Sequence, residues 1–157
     1  MLLKIGNTAP ELALPDQDGV VHDVKDYRGQ WLLIYFYPKD DTPGCTVEAC
    51  ALRDNFPAFK NLGITVLGIS ADTTKKHASF AKKYELPFTL LADEDKRVVE
   101  TYGVWGKKKF MGREYMGISR TSFLVGPDGL IKKIYENVKP KDHAGEVLAD
   151  VSRMKEE

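Results

Sequence analysis

Apolar and polar positions divide this chain into short segments of changing period. Residues 31–37 form an unbroken apolar and aromatic run, and residues 64–69 repeat the pattern directly after Gly63. Runs of that length without polar alternation predict strands buried on both faces. Between them, residues 42–62 open with Thr42 as a candidate N-cap and Pro43 at the first helical position, which are helix-start signals. Strand, helix, strand is the parallel crossover unit. Residues 72–84 and 93–102 read as helices opened by Asp72 and Asp93, and residues 88–91 and 122–125 as strands. Pro127-Asp128-Gly129 turns the chain back into a strand at 131–135, and residues 143–155 read as a closing helix. Near the start, residues 11–14 and 20–24 flank Asp16-Gln17-Asp18-Gly19, turn chemistry that predicts a hairpin. Residues 106–117, which contain Lys107-Lys108-Lys109, read as a solvated basic loop.

Strands and helices alternate and then give way to a hairpin and a final helix. That order implies an α/β fold with an N-terminal hairpin and a central mixed sheet covered by helices on both faces, as in thioredoxin-like folds. No linker, repeat or low-complexity tract divides residues 1–157, so a single domain is expected. Apolar residues at 43% and charged residues at 29% are ordinary for a globular protein and far from the signature of disorder. Lys and Arg number 23 and so do Asp and Glu, so no net field draws the chain to nucleic acid or to an anionic membrane. Met1-Leu2-Leu3-Lys4-Ile5 is not followed by a long apolar run or a small-residue cleavage site, and no run approaches the roughly 20 residues of a membrane span. A cytoplasmic location is the expectation. In that reducing setting two cysteines are catalytic, metal-binding or buried more often than joined in a structural disulfide.

Cys45 falls at the third position of the expected helix, where unpaired backbone N–H groups and the positive end of the helix dipole favour an anion. A thiolate is such an anion, and thiolate character controls nucleophilicity. A lone cysteine is otherwise a packing residue, but the surroundings here point elsewhere. Pro38 ends the apolar strand, Thr42 presents a hydroxyl three residues before Cys45, and Gly44 removes a side chain beside the sulfur.

The run Pro38-Lys39-Asp40-Asp41-Thr42-Pro43-Gly44-Cys45, with Glu48 three residues on, resembles the active-site motif of the peroxiredoxin family. Cys50, five residues after Cys45, is similar to the second cysteine of the bacterioferritin comigratory protein branch. Ser119-Arg120-Thr121-Ser122-Phe123 is similar to the segment that carries the family's active-site arginine. The resemblance implies a thiol peroxidase needing no cofactor and no metal. Cys45 would attack the peroxide and become a sulfenic acid, and Cys50 would resolve it as a disulfide for re-reduction by thioredoxin or glutaredoxin. Thr42 would hold the peroxide, Arg120 would supply fixed donors, Glu48 would orient Arg120, and Pro38 would shield the sulfur. The chain is expected to act as a monomer.

Magnitudes rank these roles. A free thiol with a pKa of about 8.5 is already roughly 3% thiolate at pH 7, so full deprotonation accelerates attack at most about 30-fold. Nucleophilicity falls with pKa, so part of that gain is lost. Orientation of the peroxide and stabilisation of developing charge must supply the rest, at about 3 kcal/mol for one preorganised donor.

Two other functions compete with this one. A thiol–disulfide oxidoreductase would carry C-x-x-C, whereas four residues separate Cys45 and Cys50, and Arg120-Thr121 stands where a thioredoxin-like protein would carry a proline. A metal-binding or redox-chaperone protein would need histidines at ligand spacing to the cysteines, and His22, His77 and His143 are far from them in sequence. Surface or locally satisfied histidines are expected instead. The Asp93-Glu94-Asp95 cluster reads as dipole partners of a helix start, and Trp31, Tyr35, Phe36, Trp105 and Phe123 as core.

Overall fold

The computed structural model describes residues 3–156, so Met1 and Leu2 of the opening run and the terminal Glu157 lie outside the described residues. The expected N-terminal hairpin pairs β1 (Leu14–Pro15) with β2 (Val21–His22). Asp16 closes its turn by accepting the amides of Asp18 and Val20 at 2.8 and 2.9 Å. A 3-10 turn, Val24–Tyr27, follows with a capping box between Asp23 and Asp26.

The chain then runs through β3 (Trp31–Phe36), α1 (Pro43–Asp54), α2 (Phe56–Asn61), β4 (Ile64–Ser70), α3 (Thr74–Tyr84), β5 (Thr89–Ala92) and α4 (Arg97–Thr101). A second hairpin, β6 (Trp105–Phe110) with β7 (Arg113–Ile118), leads into β8 (Thr121–Val125), β9 (Ile131–Tyr135) and α5 (His143–Glu156). The central sheet has the order β5-β4-β3-β8-β9. β3 pairs with β4 and β4 with β5 in parallel, while β8 is antiparallel to both β3 and β9. This is the mixed, thioredoxin-like sheet expected from the alternation.

Side-chain alternation along β3 builds two cores. Leu33 and Tyr35, with Tyr37 just beyond, pack with Ala49 and Leu52 of α1, Phe59 of α2, Phe80 of α3 and Val147 of α5. Leu32, Ile34 and Phe36 face Leu12, Val24, Val98, Tyr102 and Ile118 on the other side. The sheet is therefore covered on both faces, which is why β3 shows no polar alternation.

Three helix boundaries differ from the sequence reading. The single helix expected over residues 42–62 is two: α1 stops at Asp54, Asn55 leaves helical geometry (φ −98°, ψ 4°), and α2 restarts with Pro57 in its first turn. Pro57 has no N–H for the carbonyl four residues back and crowds it. The Asn55 side-chain Nδ2 also donates to the Ala51 carbonyl at 2.8 Å, beside the backbone bond of Asn55 N–H to the same oxygen at 3.2 Å. The helix expected over 93–102 is only Arg97–Thr101, because Lys96 takes a left-handed φ of 63° just before it. Asp93 is not in its first turn but accepts the Val99 amide at 2.8 Å. α3 is capped by Thr73, whose hydroxyl accepts from the Lys76 amide at 3.1 Å, and not by Asp72.

Residues 106–117 are a hairpin, not a loop. Met111 and Gly112 (φ 53° and 80°) make a two-residue turn of the kind that matches strand twist. Both faces of this hairpin are largely exposed, so no alternation marked it. Trp31 and Trp105 pack at the margins of the two cores, while Tyr35, Phe36 and Phe123 are fully within them. Among the described residues no helix is long and apolar enough to cross a membrane.

Candidate active site

The start of α1 is built to leave donors free. Thr42 has the extended backbone of an N-cap (φ −99°, ψ 156°) but makes no side-chain cap bond. Its hydroxyl donates to the Lys39 carbonyl at 2.8 Å, so its oxygen lone pairs remain available to accept. Pro43 opens the helix and Gly44 follows, so Cys45 stands third, as expected. The Cys45 side chain is 1% exposed, while Cys50, later on α1, is half-buried, and both are free thiols. Pro38, half-buried, lies at the end of β3.

Arg120 lies between β7 and β8, directly before Thr121, which pairs with Phe36 at the end of β3. Its carbonyl accepts the Val138 amide at 3.0 Å, which fixes the backbone. Its guanidinium forks: Nη1 donates to Glu48 Oε1 at 2.8 Å and Nη2 to Cys45 Sγ at 3.5 Å. Glu48 lies three residues after Cys45 on α1, on the same helix face. Gly44 completes the fit, because a β-carbon there would stand 2.8 Å from Arg120 Nη2. Thus Cys45, Glu48, Gly44 and Arg120 converge, with Thr42 at the edge of the group.

The ion pair is asymmetric. The Glu48 side chain is 1% exposed and that of Arg120 is 18% exposed. Burial pushes the Glu48 carboxyl up from 4.5 to about 7, and the charge and hydrogen bond of Arg120 only offset part of this. Burial works against the guanidinium as well, but the Cys45 sulfur and Glu48 outweigh it and raise the group, so Arg120 remains a cation. Glu48 Oε2 and the buried Tyr35 hydroxyl find no hydrogen-bond partner among the described residues. Burial first, then Glu48, Cys45 and Asp40, raise Tyr35 well above the ordinary phenol range.

Three further residues, Lys108, Asp40 and His77, have no assigned role in the sequence reading. Lys108, read as part of a solvated run, is half-buried and donates to the Ile118 carbonyl at 2.9 Å. Burial lowers its pKa, Arg120 adds to the effect and Cys45 opposes it. Strand alternation would have set Lys108 apart from Lys107 and Lys109, had a hairpin been expected there. Asp40 and His77 form a short pair, Oδ2 to Nδ1 at 2.6 Å, across 37 residues of sequence, which no local pattern reveals. His22 and His143 are locally satisfied, as expected, by Asp16 with Tyr27 and by Ser122.

Residues 5–134 match the AhpC/TSA family. "Peroxiredoxin Bcp" of Escherichia coli K12 is 52% identical over 146 residues, covering 93% of this chain and 94% of that protein. The protein of the same description from Bacillus subtilis strain 168 is 43% identical over 156 residues, 99% of each chain. Among solved structures, a cysteine-to-serine mutant of Xylella fastidiosa PrxQ is 34% identical with a TM-score of 0.89, covering 99% of each chain. The Xanthomonas campestris bacterioferritin comigratory protein, solved as a trapped intermediate/ligand complex for its alkyl peroxide reduction activity, is 35% identical with a TM-score of 0.85, covering 91% of each chain. This chain therefore belongs to the AhpC/TSA family, among its Bcp and PrxQ peroxiredoxins.

Proposed function

We propose that this peroxiredoxin reduces hydrogen peroxide and organic hydroperoxides through Cys45, with Cys50 resolving the product. The observation that carries the assignment is the Arg120 fork, which touches Cys45 Sγ and Glu48 Oε1 at once. The thiolate of Cys45 attacks the terminal peroxide oxygen, a sulfur–oxygen bond forms, and the O–O bond breaks. The departing RO⁻ takes a proton and leaves as an alcohol, or as water from hydrogen peroxide. Cys50 then attacks the sulfenic sulfur, forming a disulfide and releasing water.

Each neighbour has a share in the first step. Arg120 Nη2 faces the sulfur and stabilises negative charge as it spreads from sulfur to the departing oxygen. Thr42 accepts the peroxide O–H on a lone pair, its own proton being held by the Lys39 carbonyl. Glu48 fixes the Arg120 fork, Gly44 leaves room for it, and Pro38 closes the pocket beside the sulfur. An external dithiol such as thioredoxin or glutaredoxin reduces the disulfide. Both cysteines lie on one helix, so the cycle closes within a monomer. Two free thiols fit a reducing, cytoplasmic setting.

Peroxide consumption by the pure protein with dithiothreitol, before and after chelation, tests this reading. Turnover that survives chelation and disappears in Cys45→Ser is expected. Turnover that persists in Cys45→Ser, or that chelation abolishes, would overturn it.

A further inference from the structure

α3 carries a histidine that none of these steps uses. His77 is completely buried. Its Nε2 stands 2.9 Å from the Leu91 carbonyl, which has no proton to give, so Nε2 carries one. Nδ1 stands 2.6 Å from Asp40 Oδ2, and a proton lies between them whichever partner owns it. Asp40 Oδ1 accepts the Tyr37 hydroxyl at 2.5 Å, and the Asp40 amide donates to Asp72 Oδ2 at 2.8 Å. Asp72 Oδ2 also accepts the Ser70 hydroxyl at 2.6 Å. Asp40 is thus anchored to the ends of β3 and β4 and to the body of α3.

Ligand-type atoms of Asp40, Asp72 and His77 lie within 4.8 Å of one another, a spacing that a cation could use. Yet both ring nitrogens already face acceptors, and the carboxylates accept from Tyr37, Ser70 and a backbone amide. The cluster is closed by its own hydrogen bonds, which makes it an anchor and not a cation site.

What it anchors is the segment leading to α1. Asp41 has a left-handed φ of 57°, and its carboxylate accepts from Lys83 Nζ and the Tyr84 hydroxyl, each at 2.8 Å and both on α3. Thr42 follows, its hydroxyl turned back onto the Lys39 carbonyl. Residues 39–42 are therefore a short loop whose fixed side is α3.

We propose that His77 is a positioning residue for peroxide reduction: through Asp40 it fixes the loop of residues 39–42 and so places the Thr42 hydroxyl relative to the Cys45 sulfur. The inference rests on the reading of Thr42 as the group that receives the peroxide. A displacement of about 1 Å in a positioned group can slow a reaction about 100-fold, so the anchor has the leverage the role needs.

The test compares two reactions of Cys45 in a Cys50→Ser background. Attack on peroxide needs Thr42 in place, whereas alkylation by iodoacetamide needs the thiolate alone. Asp40→Asn and His77→Gln should slow the peroxide reaction by about 10- to 100-fold while changing alkylation less than about 3-fold. If His77→Gln does not fold by circular dichroism, Asp40→Asn and Tyr37→Phe carry the comparison, the latter with the smaller loss because it removes one anchor of three. Unchanged peroxide rates in folded Asp40→Asn, or peroxide and alkylation rates that fall together, would overturn the proposal. Thr42→Val separates it from the reading beneath it. A slow Thr42→Val beside a fast Asp40→Asn refutes the role of His77 alone, and a fast Thr42→Val refutes the role of Thr42 and with it the inference.

Discussion

Gly44 and Arg120 are in such close register that a β-carbon on the glycine would stand 2.8 Å from Nη2 and 3.6 Å from Cζ of the guanidinium. Gly44 is inside α1 without a positive φ, so the backbone itself accepts alanine there. Glycine is about 1 kcal/mol less favourable than alanine in a helix interior, with less at stake in the first turn. Gly44→Ala should therefore melt at the same temperature or slightly higher, yet lose at least about tenfold in peroxide rate as the fork is displaced. Thermal melts beside stopped-flow rates check this, and a fully active Gly44→Ala would show that the Arg120 position does not matter.

Arg120 touches sulfur and carboxylate with two different nitrogens, which a lysine point charge cannot do. Arg120→Lys should remain folded and lose about 100-fold or more in rate, on the scale of one lost preorganised donor. That exceeds the roughly 30-fold ceiling available from thiol ionisation. Titrating the Cys45 thiol in the variant separates the two effects, and a rise in its pKa that accounted for the whole loss would contradict a transition-state role.

Much of the site could be read before the fold was known, because its residues are close in sequence. Thr42, Gly44, Cys45, Glu48 and Cys50 share one helix start, where position along the helix fixes direction. The roles of Glu48, Cys50 and Arg120 come from the family resemblance, and for Arg120 nothing in its own segment says which strand end it will face. Asp40 with His77 was invisible because 37 residues separate them and the contact depends on how α3 docks. The break at Asn55 is legible in Pro57, whereas the β6–β7 hairpin is not legible. Its strands bury neither face well, and the periodicity that marks a strand records burial, not hydrogen bonding.

Glu48 gives the site a pH signature. Its carboxyl is raised by burial from 4.5 to about 7, so the folded protein binds more protons than the unfolded chain between those values. The stability this group contributes is complete below about 4.5 and is lost as pH rises through about 7, a change on the order of 3 kcal/mol. Urea unfolding of Glu48→Gln across that window should show a flatter loss of stability with rising pH than the parent. Parallel curves for the two proteins would contradict the raised carboxyl.

Cys45 and Cys50 lie on the unbroken helix Pro43–Asp54. Five residues of helix advance about 7.5 Å and turn about 140°, which sets the Cα atoms about 8.6 Å apart. Disulfides need roughly 4.4 to 6.8 Å, so the first turns of α1 must unwind to form one. Fraying at a helix start is the least costly way to do so. Oxidised protein should show less helix by circular dichroism and faster amide exchange at residues 44–52, while β3 and β4 keep their protection. A Cys45–Cys50 disulfide within an intact α1 would contradict this geometry.

The division of labour between the two cysteines is tested most directly by mass spectrometry after a single turnover with one equivalent of peroxide and a dimedone-type trap. Cys50→Ser should consume the peroxide and carry the trapped sulfenic adduct on Cys45, while Cys45→Ser should leave both the peroxide and Cys50 unchanged. Equal reaction in the two variants, or an adduct on Cys50 when Cys45 is replaced, would contradict the assignment of Cys45 as the attacking thiol.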